Sequence, residues 1–200
     1  MSVDTLLDFI AKPESGGNFN IVYGGIKKQH RPKVPLTEMT IGEVLSWQDS
    51  IDPLYRSEAA GAFQIMEDTL RTLHVEAGLP KSALFSEENQ RKLATQLLKR
   101  RGLDKYLAGK MTPEAFANEL AKEWASLPVV SGPKKGRSYY AGDGLNKSHV
   151  SVEAFLAAVR SCREAHEPAK PAVKSKPAPV GGIAGAIAAL VGLLAVWRWW

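Results

Sequence analysis

With one cysteine, Cys162, in 200 residues, the chain has no internal disulfide. The fold therefore depends on its core, and cysteine usage does not tie it to an oxidising compartment. The N-terminus lacks a basic stretch leading into an apolar run, so no secretory signal of the usual kind is expected. Its four histidines, His30, His74, His149 and His166, are far apart and poorly supported by Cys or acidic partners, so neither a metal site nor a cofactor is expected. There is no glycine-rich phosphate loop beside the basic residues. Excess charge is modest: 26 Lys+Arg against 21 Asp+Glu leaves +5, a mild bias toward anionic partners. Lysines and arginines are dispersed, and only the loop from Lys134 to Arg137 is locally dense, which argues against nucleic acid.

The composition, 44% hydrophobic and 24% charged, suits a foldable globular chain of about one domain. Residues 1–166 carry mostly helical spacing. Leu6, Leu7, Phe9 and Ile10 predict a first helix. Ile41, Val44 and Leu45 follow a capping box formed by Thr40 and Glu43. Leu93, Leu97 and Leu98 follow Ser86, and Phe116, Leu120 and Trp124 stand four apart after Thr112-Pro113. Val152, Phe155, Leu156 and Val159 predict a last helix, while Asn18 to Pro35 reads as a short strand or extended loop ending its apolar part at Gly24-Gly25. The expected fold class is mainly α, a compact helical domain with a small extended excursion.

Composition changes after residue 166. Residues 167–179 hold four prolines and three lysines and read as a semi-rigid linker. Residues 180–197 carry no charge; at ~1.5 Å per residue they reach about 27 Å, close to the roughly 30 Å of a hydrocarbon core. A transmembrane helix is expected there, with Arg198, Trp199 and Trp200 at its interfacial end. Lys170, Lys174 and Lys176 on the linker side favour a globular domain that starts in the cytoplasm. The oligomeric state is open, although Gly181 and Gly185 have the spacing of a helix-pairing motif.

Two segments point to chemistry. Glu14 follows Pro13 just past the first predicted helix and precedes Ser15-Gly16-Gly17, where missing side chains let a ligand approach the backbone. About fifty residues on, Gly61-Ala62-Phe63-Gln64-Ile65 enters a new apolar run. In this order the two segments resemble the lysozyme-like fold of peptidoglycan-cleaving enzymes. The chain is more similar still to the lambda-type phage endolysins, which are lytic transglycosylases. That resemblance runs through Leu6 to Ile10 and Glu14, Ile21-Val22-Tyr23-Gly24-Gly25, Gly61 to Ile65, and Trp124-Ala125-Ser126-Leu127-Pro128. It covers roughly residues 5 to 160. The segment Ser138 to Gly144 looks like a cleft-lining loop of related phage lysozymes.

The resemblance implies a substrate, peptidoglycan, and a reaction, cleavage of the bond between N-acetylmuramic acid and N-acetylglucosamine. It makes Glu14 the catalytic acid. A glycosidic oxygen leaves poorly unless protonated, so the carboxyl must stay protonated near neutral pH, with Phe9, Ile10 and Phe63 as candidate apolar walls. A lytic transglycosylase can use the sugar's own 6-hydroxyl as nucleophile, so one carboxylate suffices. Where the family has an acidic residue, this chain has Asn20, a departure that favours transglycosylation. Asp52, Glu58 and Asp68 stay open as second acids or as plain surface charges.

Ser15, Phe63, Gln64, Tyr139 and Tyr140 are the expected substrate-binding residues. Gln64 would bond a sugar acetamido or simply hold the cleft wall, and the tyrosines would stack on a sugar ring or pack in the core. Lys134, Lys135 and Arg137 would meet peptidoglycan carboxylates or form a solvated loop. Cys162 reads as incidental. The expected partners are peptidoglycan and, through the C-terminal helix, the host inner membrane; the expected location before lysis is the host cytoplasm or inner membrane. Two other readings remain: a hydrolysing muramidase using the same Glu14, and a non-catalytic wall-binding or holin-like membrane protein for which Glu14 is dispensable.

Overall fold

A computed structural model of the chain describes residues 2–142 and 147–166. These belong to the first of the two units into which the chain divides, Met1–Pro168. The expected linker and the run at 180–197 lie outside the described residues. Among those described, no helix is long and apolar enough to cross a membrane.

Seven α-helices make up the described domain: α1 (Val3–Ser15), α2 (Ile41–Ile51), α3 (Glu67–Glu76), α4 (Glu87–Arg100), α5 (Leu103–Leu107), α6 (Pro113–Leu120) and α7 (Val152–Glu164). Their starts follow local chemistry. Thr40 accepts from the Glu43 backbone N–H while the Glu43 carboxylate accepts from the Thr40 N–H, completing the capping box. The hydroxyls of Ser86, Thr112 and Ser151 accept at the starts of α4, α6 and α7. The domain is mainly helical, as expected, with no strand among the described residues. Among the described residues the β-pairing consists of isolated antiparallel bridges, such as Val22 with Ala60 and Ala60 with Ile65. The stretch from Asn18 to Pro35 is accordingly an extended loop with a 3-10 turn at Lys28–His30.

Helix α1 packs on α4 and α7, α6 packs on α7, and α2 packs on α3. Leu6, Leu7 and Ile10 of α1 meet a core that includes Leu93 and Leu97 of α4 and Phe155 and Val159 of α7. The Tyr106 ring stacks on Phe116 at 4.7 Å, and its hydroxyl donates to the Val159 carbonyl at 2.8 Å. Burial there pushes its pKa up to about 12.

Two boundaries differ from expectation, and both differences shape the site. Helix α1 continues through Pro13 and Glu14 to Ser15, so Glu14 lies in its last turn rather than past it. Pro13 removes one intrahelical N–H donor from the last turn, and the helix continues to Ser15 without it. The helix stops where Gly16 turns left-handed at φ 67°, its N–H donating to the Lys12 carbonyl. In the other case α6 ends at Leu120, leaving Trp124 on the irregular segment that follows, still buried. The spacing that suggested one helix reflects a shared core, not a shared helix.

Candidate active site

Glu14 is half-buried, and its carboxylate is held from the far side of the chain. Ser126 donates twice to Glu14 Oε1, once from its backbone N–H at 3.1 Å and once from its hydroxyl. Ser126 is itself buried, and its carbonyl accepts from the His149 N–H at 2.9 Å. Loss of solvation raises the Glu14 pKa above its ordinary value. The two Ser126 bonds and the charge of His149 oppose this without cancelling it. Its place in the last helical turn acts with burial, because the negative end of the helix disfavours a second negative charge. The result is a carboxyl group biased toward its protonated form yet fixed in direction by one of its two oxygens.

Glu14 faces a cleft of about 510 Å³ whose walls include Tyr23, Phe63, Gln64, Met66 and Trp124. One wall is the tight turn from Ala60 to Ile65, closed by reciprocal backbone bonds between those two residues. Gly61 sits at φ 75°, and a Cβ there would fall 2.2 Å from Gln90 Oε1. The buried Gln90 side chain accepts from Ala62 N–H and donates to the carbonyls of Phe19 and Phe85. A single amide thus ties the turn to two other segments. Gln64 has φ 50°, the one non-glycine residue with positive φ among those described. Such backbone strain persists only where surroundings enforce it and clusters at functional sites. The Gln64 amide donates to the Gly61 carbonyl at 2.9 Å. The Trp124 indole N–H, donating to the Phe63 carbonyl at 3.3 Å, joins the turn to the segment that carries Ser126.

The structure therefore brings Glu14, Phe63 and Gln64 together. It places the other expected binding residues elsewhere. Ser15 is buried at the end of α1, where its hydroxyl donates to the Ala11 carbonyl and accepts from Gly17 N–H. Tyr139 lines a separate groove with Met111, Ala115 and Asn118. Tyr140 donates its hydroxyl to the Lys122 carbonyl at 2.6 Å, and neither tyrosine packs in the core. Lys134 folds back onto Tyr139, its ammonium 5.2 Å from the ring centroid. Of the candidate walls, Ile10 is fully buried in the core and Phe9 stacks on Phe155.

The open acids also resolve. Glu58 is buried and accepts from the Glu67 N–H at the start of α3, a helix-end role. Asp52 and Asp68 are exposed and do not line the cleft. Asn20 accepts from the backbone N–H and hydroxyl of Thr37, clamping two loops. Cys162 is fully buried, and burial pushes its thiol pKa up, away from reactivity. Among the described residues no group of His, Cys, Asp and Glu is arranged to hold a metal ion.

Sequence reasoning missed three residues. Ser126 lies in the Trp124 to Pro128 segment, where nothing in the local sequence marks it as a partner of Glu14. Glu123 lines the cleft and is paired with Arg101 at 2.8 Å, and Arg56 lines the same cleft. The available signal was adjacency: Glu123 directly precedes the Trp124 segment. For Arg56 there was none.

In comparison with known proteins, a family model described as Endolysin matches residues 46–154. No curated protein and no solved structure matches the chain.

Proposed function

The chain belongs to the endolysin family, phage lysis enzymes that act on the bacterial cell wall, and from that premise we propose that it cleaves the N-acetylmuramic acid–N-acetylglucosamine bond as a lytic transglycosylase. Glu14 protonates the glycosidic oxygen as the C1–O bond breaks. Its carboxylate then takes the proton of the muramic acid 6-hydroxyl while O6 closes on C1 to give the 1,6-anhydro sugar. Every proton is thereby returned, and no water is consumed. The observation that carries this reading is Glu14 on the cleft, its acid form favoured by burial and its orientation fixed by Ser126.

One further fact supports transglycosylation over hydrolysis. Glu123, the other carboxylate on the cleft, is held by Arg101, with Glu119 also near that guanidinium. An oxygen engaged by a guanidinium is not free to accept a proton from water or to attack carbon. Hydrolysis remains the second reading because Glu123 is present at all.

Mass spectrometry of purified murein digested by the full-length protein and by Glu14→Gln tests the proposal. Anhydro-muropeptides from the wild type alone are expected. Reducing-end products would make the enzyme a hydrolase, and undiminished cleavage by Glu14→Gln would remove Glu14 from the mechanism. The proposal also has the uncharged run at 180–197 hold the enzyme at the host inner membrane before lysis. Recovery of the full-length chain wholly in the soluble fraction would refute that part.

A further inference from the structure

Arginines in this domain are almost all committed. Arg71, Arg91, Arg100, Arg101 and Arg160 pair with carboxylates. Arg31 and Arg137 donate to backbone carbonyls, and Arg163 lies over the Tyr106 ring. Arg56 is different. Its side chain is exposed, has no hydrogen bond or ion pair among the described residues, and is the one lysine or arginine among the described residues that line the Glu14 cleft.

The local charge pattern sharpens this. Both carboxylates on the cleft already have donors: Ser126 for Glu14 and Arg101 for Glu123. Neither makes a hydrogen bond or ion pair with Arg56. Arginine stays charged at every relevant pH and presents a planar fork matched to two carboxylate oxygens. A cation with these properties, unpaired on the wall of a cleft, suits an anion that arrives with the substrate.

We propose that Arg56 binds a carboxylate on the muramic acid arm of the substrate and so sets which glycan enters the Glu14 cleft. This inference rests on the peptidoglycan reading above. The carboxylate has two possible sources, the peptide stem and, once the peptide is removed, the lactyl group itself. Arg56 takes no part in bond breaking and acts on binding.

The test compares full-length wild type, Arg56→Met and Arg56→Lys on three substrates: intact murein, murein whose carboxylates have been amidated, and peptide-stripped glycan. On intact murein Arg56→Met should raise KM roughly 10- to 100-fold with kcat changed little, as expected for loss of a charge-assisted pair. Arg56→Lys should recover part of that loss. On amidated murein wild type and Arg56→Met should have the same KM. A penalty that disappears on stripped glycan places the ligand on the peptide stem alone, and one that persists shows that Arg56 also takes the lactyl carboxylate that stripping exposes. An unchanged KM for Arg56→Met on intact murein, or an equal penalty on amidated murein, overturns the proposal. A wild type that releases no cleaved glycan from intact murein refutes the proposed function instead.

Discussion

Ser126→Ala isolates the part of the site that fixes the Glu14 proton. It deletes the hydroxyl donor to Oε1 and leaves the backbone donor at 3.1 Å. A hydrogen bond to a charged group contributes about 1.5–3 kcal/mol. The protonated carboxyl still accepts through its carbonyl oxygen, so the bond distinguishes the two protonation states by only part of that, about 1 kcal/mol. At roughly 1.4 kcal/mol per tenfold, the acid-to-carboxylate ratio at a given pH rises about fivefold. The sign follows from the site: both Ser126 bonds hold the Glu14 pKa down against burial, so removing one lets it rise further. The limb of kcat/KM against pH that marks loss of the acid form should therefore move to higher pH. The plateau should fall by about tenfold, because a loosened carboxyl group points less well at the leaving oxygen. Murein cleavage measured across the pH range, with soluble glycan as readout, provides the check. A limb that stays in place, or moves to lower pH, would refute the reasoning.

Two further outcomes follow from the same geometry. Gly61→Ala places a Cβ 2.2 Å from Gln90 Oε1 at φ 75° and should cost at least about 2 kcal/mol in urea unfolding; stability within about 0.5 kcal/mol of wild type would show that Gln90 does not hold the turn. Glu14 has its pKa raised in the folded state, so the stability contributed by its proton is present below the unfolded value near 4.5 and lost as pH rises through the folded one. Glu14→Gln, which cannot ionise, should gain stability relative to wild type between pH 4 and pH 8, and an unchanged difference across that interval would mean burial does not disfavour the Glu14 charge.

How much of this was legible depends on the range of the interaction. The capping box at Thr40 and Glu43 and the caps at Ser86 and Thr112 act within a turn, and the sequence pattern matched the structure at each. Helix α3 went unread because its apolar face is thin: Leu70, Leu73 and His74 are its buried residues. Trp124 keeps helical spacing from Phe116 and Leu120 because burial and periodicity coincide there without a continuous helix. The cleft lies at the other extreme. Glu14 and Ser126 stand 112 positions apart, and no local rule relates a helix-end carboxylate to a serine in a distant loop. The resemblance to phage endolysins brought both segments to notice, but only folding shows that one holds the other.

The same distinction explains why charged residues were the hardest to judge. Asp52, Glu58 and Asp68 could not be separated from Glu123 by residue type, since each is an acid near an element boundary. Their roles are set by the cation or donor that each meets. Glu58 meets a helix-start N–H, Glu123 meets Arg101, and Glu14 meets two Ser126 donors while losing water. Arg101 engages the Glu123 carboxylate, whereas burial favours the proton on Glu14. If Arg101→Met released Glu123, the cleft would gain a free carboxylate able to act as a base for water. A shift of products from anhydro toward reducing ends in that variant would show that the Arg101–Glu123 pair keeps the chemistry intramolecular. Unchanged products would mean that the position of Glu123, and not its pairing, keeps water out of the reaction.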